Sequence, residues 1–589
     1  MERNQVENRL KWKIEDMFAS VSAWQTEYDA VLKEIEFSSF VGKLGDKEQF
    51  KKFNAKSDEI SKRVERLYVY AMMTVDTDTR SSDGSKLLAL AQKLYTKLSS
   101  LTAFAVPELL SLEESVLKGY INDVDFADYD YTLKRILEKK EHVLSPEIEE
   151  LLASMGEVTS TFKEIFSKID NADLPLKTIK HNGESYKLTH GEYSVLMQSD
   201  DRALRRKAFC AYYDAFISVI NTITSTYRGN VKKNVFYKNA RKYESCLNMA
   251  LKGEDVPDEV YHNLIESVHD NLPIMHKYIK AKRKALNLKT MHMYDMYVPI
   301  TKDADIKMDY DEAYDYVVKA LSVLGEEYQN ILIKAKQDRW LDVVETDGKR
   351  SGAYSVSVYD CHPYVLLNYQ KTTHDVFTIA HEMGHSIHSY FSNRTQPYSK
   401  ADYTIFVAEV ASTVNEVLLH RYILDNVTDV EVKKYILSYF LEMIRTTLFR
   451  QTQFAEFEHI AHKTEEDGTP LTKDFLNETY LKLNKNYYGN GIVSDERIAY
   501  EWCRIPHFYN AFYVYKYSTG IISALSIADR ILTEGEPAVK DYFKFLSSGG
   551  SDSPVELLKL AGVDLTKKDA YVKAMETFKY YLDELENLL

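Results

Sequence analysis

Two histidines four residues apart with a glutamate beside the first, in His381-Glu382-Met383-Gly384-His385, are the residues of this chain best suited to metal-assisted chemistry. On a helix, side chains at that spacing differ by about 40° and about 6 Å of rise, so both imidazoles leave one face and can converge on one cation. Glu382 is turned by about 100°, close enough to reach a water beside that cation without binding it. Gly384 removes a side chain next to the histidines, which lets a second backbone approach. Zinc with two histidines needs a third protein ligand and one position left for water.

The setting of the motif predicts a helix. Apolar residues recur at 376, 380, 383, 387 and 390, and Thr372 with Asp375 offers a capping box at its start. A turn-rich stretch, 392–402, follows, and then an apolar periodic segment, 405–424. If the two helices form an antiparallel hairpin, residues equidistant from the turn are level. His385 and Glu409 each stand 12 residues from Pro397. Glu416 falls about 10 Å further along and Asp402 sits back at the turn, so Glu409 is the expected third ligand. The Met-turn arrangement with a third histidine is disfavoured, because His388 and Phe391 hold the positions after His385 that would need Gly and His. His388 continues the ligand row by one turn, but one helix cannot easily aim three imidazoles at one ion, so it is expected to support a ligand or to sit in a polar core. His362 and His374 are expected to be structural.

Hydrolysis also needs donors for a developing oxyanion. These are sought in residues 501–517, where Pro506 argues for a loop and the residues after it for a helix. On that helix Tyr513 and Tyr517 share a face, with His507 in the loop before it.

The elements that position these residues are mostly helical. Gly (21) and Pro (12) are few in 589 residues, so elements should be long and turns rare. Amphipathic helices fill the chain to about residue 170, for example 60–73 and 86–98. Residues 176–188 read as a hairpin around Asn182-Gly183 and as a lobe boundary. Helical periodicity returns at 202–284. Two extended stretches, 291–300 and 351–358, are expected to form a small sheet. After Thr372 helix continues to the end, apart from a loop at 488–491.

The net charge of −14 argues against a nucleic-acid partner, which would need a clustered basic surface. No run of 18 apolar residues suits a membrane span, and the start has neither an apolar core nor a cleavage site of the secretory type. Cys210, Cys246, Cys361 and Cys503 lack paired spacing, so reduced thiols in the cytoplasm are expected.

With these residues in view the chain resembles the oligoendopeptidase F branch of the thimet oligopeptidase family. The likeness runs through Trp12-Lys13-Ile14-Glu15-Asp16, Gly352-Ala353-Tyr354-Ser355, Tyr359-Asp360 and Leu366-Leu367-Asn368-Tyr369. It continues in residues 375–385, in Phe406-Val407-Ala408-Glu409-Val410-Ala411-Ser412 and in Arg504-Ile505-Pro506-His507-Phe508. The resemblance implies a mostly α, two-lobed zinc metallopeptidase with a small β-sheet beside a deep substrate channel. It implies three spans: an N-terminal helical region at 1–112, an oligopeptidase F-type domain at 113–190 and a catalytic domain at 200–580. It also implies one Zn2+ per chain on His381, His385 and Glu409, Glu382 as general base, and substrate-binding roles for His507 and the tyrosines after it. The tyrosine spacing differs from that of the thimet enzymes, and helical phase ranks Tyr517 and Tyr513 above Tyr515. The implied activity is endopeptidase cleavage of short unstructured peptides, with the strand at Gly352–Ser355 pairing with the substrate backbone. The rival readings are a metal-dependent acyl or amide hydrolase of another substrate class and an inactive helical peptide-binding protein. Oligomeric partners are left open.

Overall fold

A computed structural model describes residues 1–301 and 307–589. The described residues divide into two compact units: Met1–Glu141, Ile306–Tyr422 and Ile527–Val563 form the first, and His142–Asp305, Ile423–Ser526 and Asp564–Leu589 the second. Helices dominate both, as the scarcity of glycine and proline predicts. No helix among the described residues is long and apolar enough to cross a membrane.

In the first unit, helices Lys47–Thr77 and Ser82–Thr102 extend the two segments read from periodicity. The Asp46 side chain caps the first by accepting from the Gln49 N–H, and Ser81 caps the second through the Gly84 N–H. Phe50 and Leu67 of the first and Leu94 of the second join Trp12, Trp24 and Phe126 in one core, which also takes in Tyr364 and Leu366. Each such side chain contributes roughly 1.5–3 kcal/mol by leaving water.

Two small sheets interrupt the helices. Strands β1 (Thr178–His181) and β2 (Glu184–Lys187) form the hairpin expected at Asn182-Gly183. Both turn residues have positive φ, 49° and 86°, the left-handed pair that a two-residue hairpin needs. Strands β3 (Leu341–Asp342), β4 (Tyr354–Val356) and β5 (Tyr364–Leu366) form the other sheet in the order β3-β5-β4, so β4 is an edge. On β5 the Val365 N–H bonds Trp340 O at 3.0 Å and the Leu367 N–H bonds Asp342 O at 2.8 Å. Tyr364 and Leu366 therefore turn their backbone groups to β4, where they oppose Val356 and Tyr354. The N–H and C=O of Ser355, between those two, point out of the sheet.

The stretch 291–300 does not join this sheet. It forms a 3-10 turn at Met293–Asp295 and a single bridge between His292 and Val493. The buried Asp295 carboxylate accepts from the His292 N–H at 2.9 Å and from Arg205 at 2.7 Å, which closes the backbone into a turn and prevents extension.

In the second unit Tyr227, Phe457, Trp502 and Phe508 pack ring on ring. The chain after Pro506 also departs from expectation. It continues as a 3-10 turn, Pro506–Tyr509, and reaches helix Tyr515–Glu534 only after Phe512, whose φ is +54°. Tyr513 thus precedes the helix on which periodicity placed it.

Candidate metal centre

The motif lies on helix Thr373–Thr395, whose capping box forms as read. The Thr372 side chain accepts from the Asp375 N–H, and the Asp375 carboxylate accepts from the Thr372 N–H at 2.9 Å. A four-residue turn, Tyr398–Ala401, leads to the facing helix Ile405–Asn426. Contacts between the two run in opposite directions. Ser392 bonds Ala401 O, Gly384 meets Ala411 and Ser412, and Asn415 Nδ2 donates to Ala380 O at 2.9 Å. The hairpin is antiparallel, and it is clamped from outside where the buried Tyr328 hydroxyl donates to Asn415 Oδ1 at 2.7 Å. The absent side chain at Gly384 permits this: a Cβ there would stand 2.7 Å from Ala411 O.

His381 Nε2 and His385 Nε2 lie 3.2 Å apart, and Glu409 Oε2 lies 3.3 and 3.4 Å from them. Tetrahedral zinc with ligands at about 2.0–2.1 Å sets neighbouring donors about 3.3 Å apart, so this triangle has the dimensions of one face of such a site. Among the described residues it is the one group of three or more His, Cys, Asp or Glu side chains converging in this way. The donor set of two imidazoles and a carboxylate suits zinc.

Glu416, set aside above as a ligand, has another place. Its Oε1 lies 3.0 Å from His381 Nδ1, so Nδ1–H donates to the carboxylate and Nε2 is the nitrogen turned toward His385 and Glu409. Burial works to lower the His381 pKa, but hydrogen bonds to Glu409 and Glu416 outweigh it and hold the pKa well above the usual imidazole value. Burial likewise works to raise Glu409, and its bonds to His381 and His385 overcome this and hold it far below the carboxylate range. Glu382, 7 % exposed, keeps a raised pKa because burial prevails over the attraction of the two imidazoles. A carboxyl group so placed holds a proton more readily than one in water.

Three other histidines lie outside the triangle. His388 is buried and stacks on Tyr403, with centroids 3.8 Å apart and planes at 8°, and burial pushes its pKa down to about 3. It is a core residue. His362 stacks on Trp340 at 5.1 Å, and His374 is exposed in the first turn of the motif helix.

His507, Tyr513 and Tyr517 form a cluster of their own in the second unit. The His507 ring lies 6.1 Å from Tyr513 and 6.0 Å from Tyr517, and the tyrosine rings are 5.4 Å apart. Tyr515 is fully buried, against Tyr261 at 5.2 Å. Burial, aided by the Arg450 charge, lowers the His507 pKa.

Reading the sequence missed Glu416 as the partner of His381. The available signal was its spacing of seven from Glu409, two turns on one helix face. It also missed that Ser355 meets Ser386, their hydroxyls 2.8 Å apart, since such a pairing carries no periodic signal.

The pattern of Peptidase family M3 matches residues 195–577, and that described as Oligopeptidase F matches residues 108–175. The chain is 43% identical over 592 residues to oligopeptidase PepF of Bacillus subtilis (strain 168), an alignment that covers 100% of this chain and 88% of that protein. It is 39% identical over 592 residues to group B oligopeptidase PepB of Streptococcus agalactiae serotype III (strain NEM316), covering 100% of this chain and 98% of the other. The crystal structure of oligoendopeptidase-F from Enterococcus faecium is similar with a TM-score of 0.73 and 34% identity, over 96% of this chain and 99% of that one. A converging His-His-Glu triangle on a helical hairpin and these full-length likenesses lead to one conclusion: the chain belongs to Peptidase family M3, as a metalloendopeptidase of the oligoendopeptidase F type.

Proposed function

We propose that the chain hydrolyses internal bonds of short, unstructured oligopeptides, with one zinc ion held by His381, His385 and Glu409 and with Glu382 as general base. The observation that carries this reading is the donor triangle of 3.2 to 3.4 Å, with the buried Glu382 on the same helix. A zinc ion held by these residues would lower the pKa of water toward neutrality and polarise an acyl oxygen. Glu382 accepts the proton of the attacking water at a carboxylate oxygen and passes it to the departing amine. Glu416 keeps the His381 proton on Nδ1. The outward N–H and C=O of Ser355 pair with an extended substrate, as an open sheet edge can. His507, Tyr513 and Tyr517 supply donors to the developing oxyanion; the family resemblance and their mutual clustering support this. All four cysteines are free thiols, which fits a cytoplasmic location.

Quenched peptides of increasing length, assayed with and without a chelator, test the reading. Cleavage should show a length optimum and stop when the metal is removed. Turnover indifferent to both would overturn it.

A further inference from the structure

Two hydroxyls join the open edge of the three-stranded sheet to the motif helix. Ser355 Oγ lies 2.8 Å from Ser386 Oγ, and Ser386 Oγ lies 2.9 Å from the carbonyl oxygen of Glu382. Ser386 is fully buried and its one proton goes to Glu382 O, so Ser355 is the donor between the two hydroxyls. A continuous chain of hydrogen bonds therefore runs from β4 to the backbone of Glu382. Ser355 is also the β4 residue whose own N–H and C=O face outward. The start of the strand is fixed separately, by Asn368 Nδ2 donating to Gly352 O at 2.8 Å and to Arg350 O at 2.9 Å. On the far side the Tyr354 hydroxyl donates to Asp76 at 2.8 Å.

We propose that the Ser355–Ser386 pair is a register-setting latch. It holds the outward backbone groups of Ser355 at one height along the motif helix and so decides which peptide bond of a strand-paired substrate lies level with Glu382. The inference rests on the reading above, in which Glu382 is the base and β4 the substrate edge. Both serines act as positioning residues. Apolar contact between a strand and a helix tolerates small slides along the helix axis, whereas a bond between two hydroxyls is directional and satisfied at one height. Successive residues of an extended substrate are about 3.3 Å apart, so a slide of a fraction of that spacing spoils alignment at one bond and improves it at its neighbour.

The test uses a synthetic peptide that the wild-type enzyme cuts at a single bond, with products identified by mass spectrometry. Ser355→Ala is expected to fold, since Ser386 keeps its bond to Glu382 O. It should lower kcat by about 10- to 100-fold with little change in KM, the size expected for a misplacement near 1 Å. It should also release a second pair of products from a neighbouring bond, and Ser386→Ala should do the same. Ser355→Thr keeps the hydroxyl and should restore the single cut. Mere loss of stability would lower the active fraction without moving the cut. Wild-type kcat with one cut in Ser355→Ala, or Ser355→Thr as impaired as Ser355→Ala, would overturn the latch. Ala353→Pro separates this from the parent reading: retained cleavage there removes β4 as the substrate edge. Lost cleavage there, with Ser355→Ala unaffected, removes the latch alone.

Discussion

Gly384 of the motif helix lies so close to Ser412 of the facing helix that a Cβ built on it would stand 2.5 Å from the Ser412 Cα. The obstacle is backbone, which cannot swing aside as a side chain tip can. The two helices share the ligands, His381 and His385 on one and Glu409 on the other, so their separation sets the size of the donor triangle.

Gly384→Ala should therefore act on stability and on metal together. Overpacking of this kind costs about 1–3 kcal/mol. A lowered Tm and a lowered metal content per chain, from calorimetry and elemental analysis, are the expected outcome. An unchanged metal content would show that the triangle tolerates a wider hairpin.

Glu382→Gln keeps the shape and the buried position while removing the proton-accepting carboxylate. Metal content should match wild type, and kcat should fall by roughly 10²–10⁴-fold, the range for loss of a general base. Full residual turnover would end the proposed role of Glu382.

Glu416 holds His381 through Nδ1 at 3.0 Å. Removing such a partner weakens metal binding by about 10- to 100-fold. Glu416→Ala should show that loss in competition with a chelator. Glu416→Gln should show less, because its amide oxygen still accepts from Nδ1–H. Equal affinity in all three proteins would exclude this support.

Two buried groups of the second unit give stability opposite slopes with pH. Burial pushes the His462 pKa down to about 4 from 6.5, so the unfolded chain binds more protons between those values, and stability falls as pH drops from 6.5 toward 4. Burial pushes Glu458 up to about 8 from 4.5, so the folded chain keeps its proton, and stability falls as pH rises from 4.5 through 8. Each slope is about 1.4 kcal/mol per pH unit when its group acts alone. Glu458→Gln should flatten the alkaline side in urea unfolding followed from pH 6.5 to 8.5, and a slope unchanged from wild type would exclude Glu458 as its source.

Much of the site could be read from the chain because it is local. Thr372, Asp375, the apolar spacing and His381 to His385 lie within one helix, where 3.6-residue periodicity dictates which side chains share a face. Glu409 was within reach because the connection at Pro397 is short and a hairpin links distance along the chain to distance in space. The placing of Tyr513 on a helix failed for a local reason that periodicity does not register: Phe512 takes a left-handed conformation and delays the helix to Tyr515, yet the rings of Tyr513 and Tyr517 still meet. The strand expected at 291–300 failed because Asp295 found Arg205, 90 residues away in the chain.

The sequence by itself thus determined the mostly helical class, the motif helix with its cap, and the level of Glu409, all of which follow from bond geometry repeated over neighbouring residues. The tertiary structure alone decided that Glu416 orients His381, that Asn415 and Tyr328 clamp the hairpin, and that Ser355 faces Ser386 from an open edge. Those are pairings of polar groups on different elements. No period marks them, and they form only where packing brings the partners within hydrogen-bond reach.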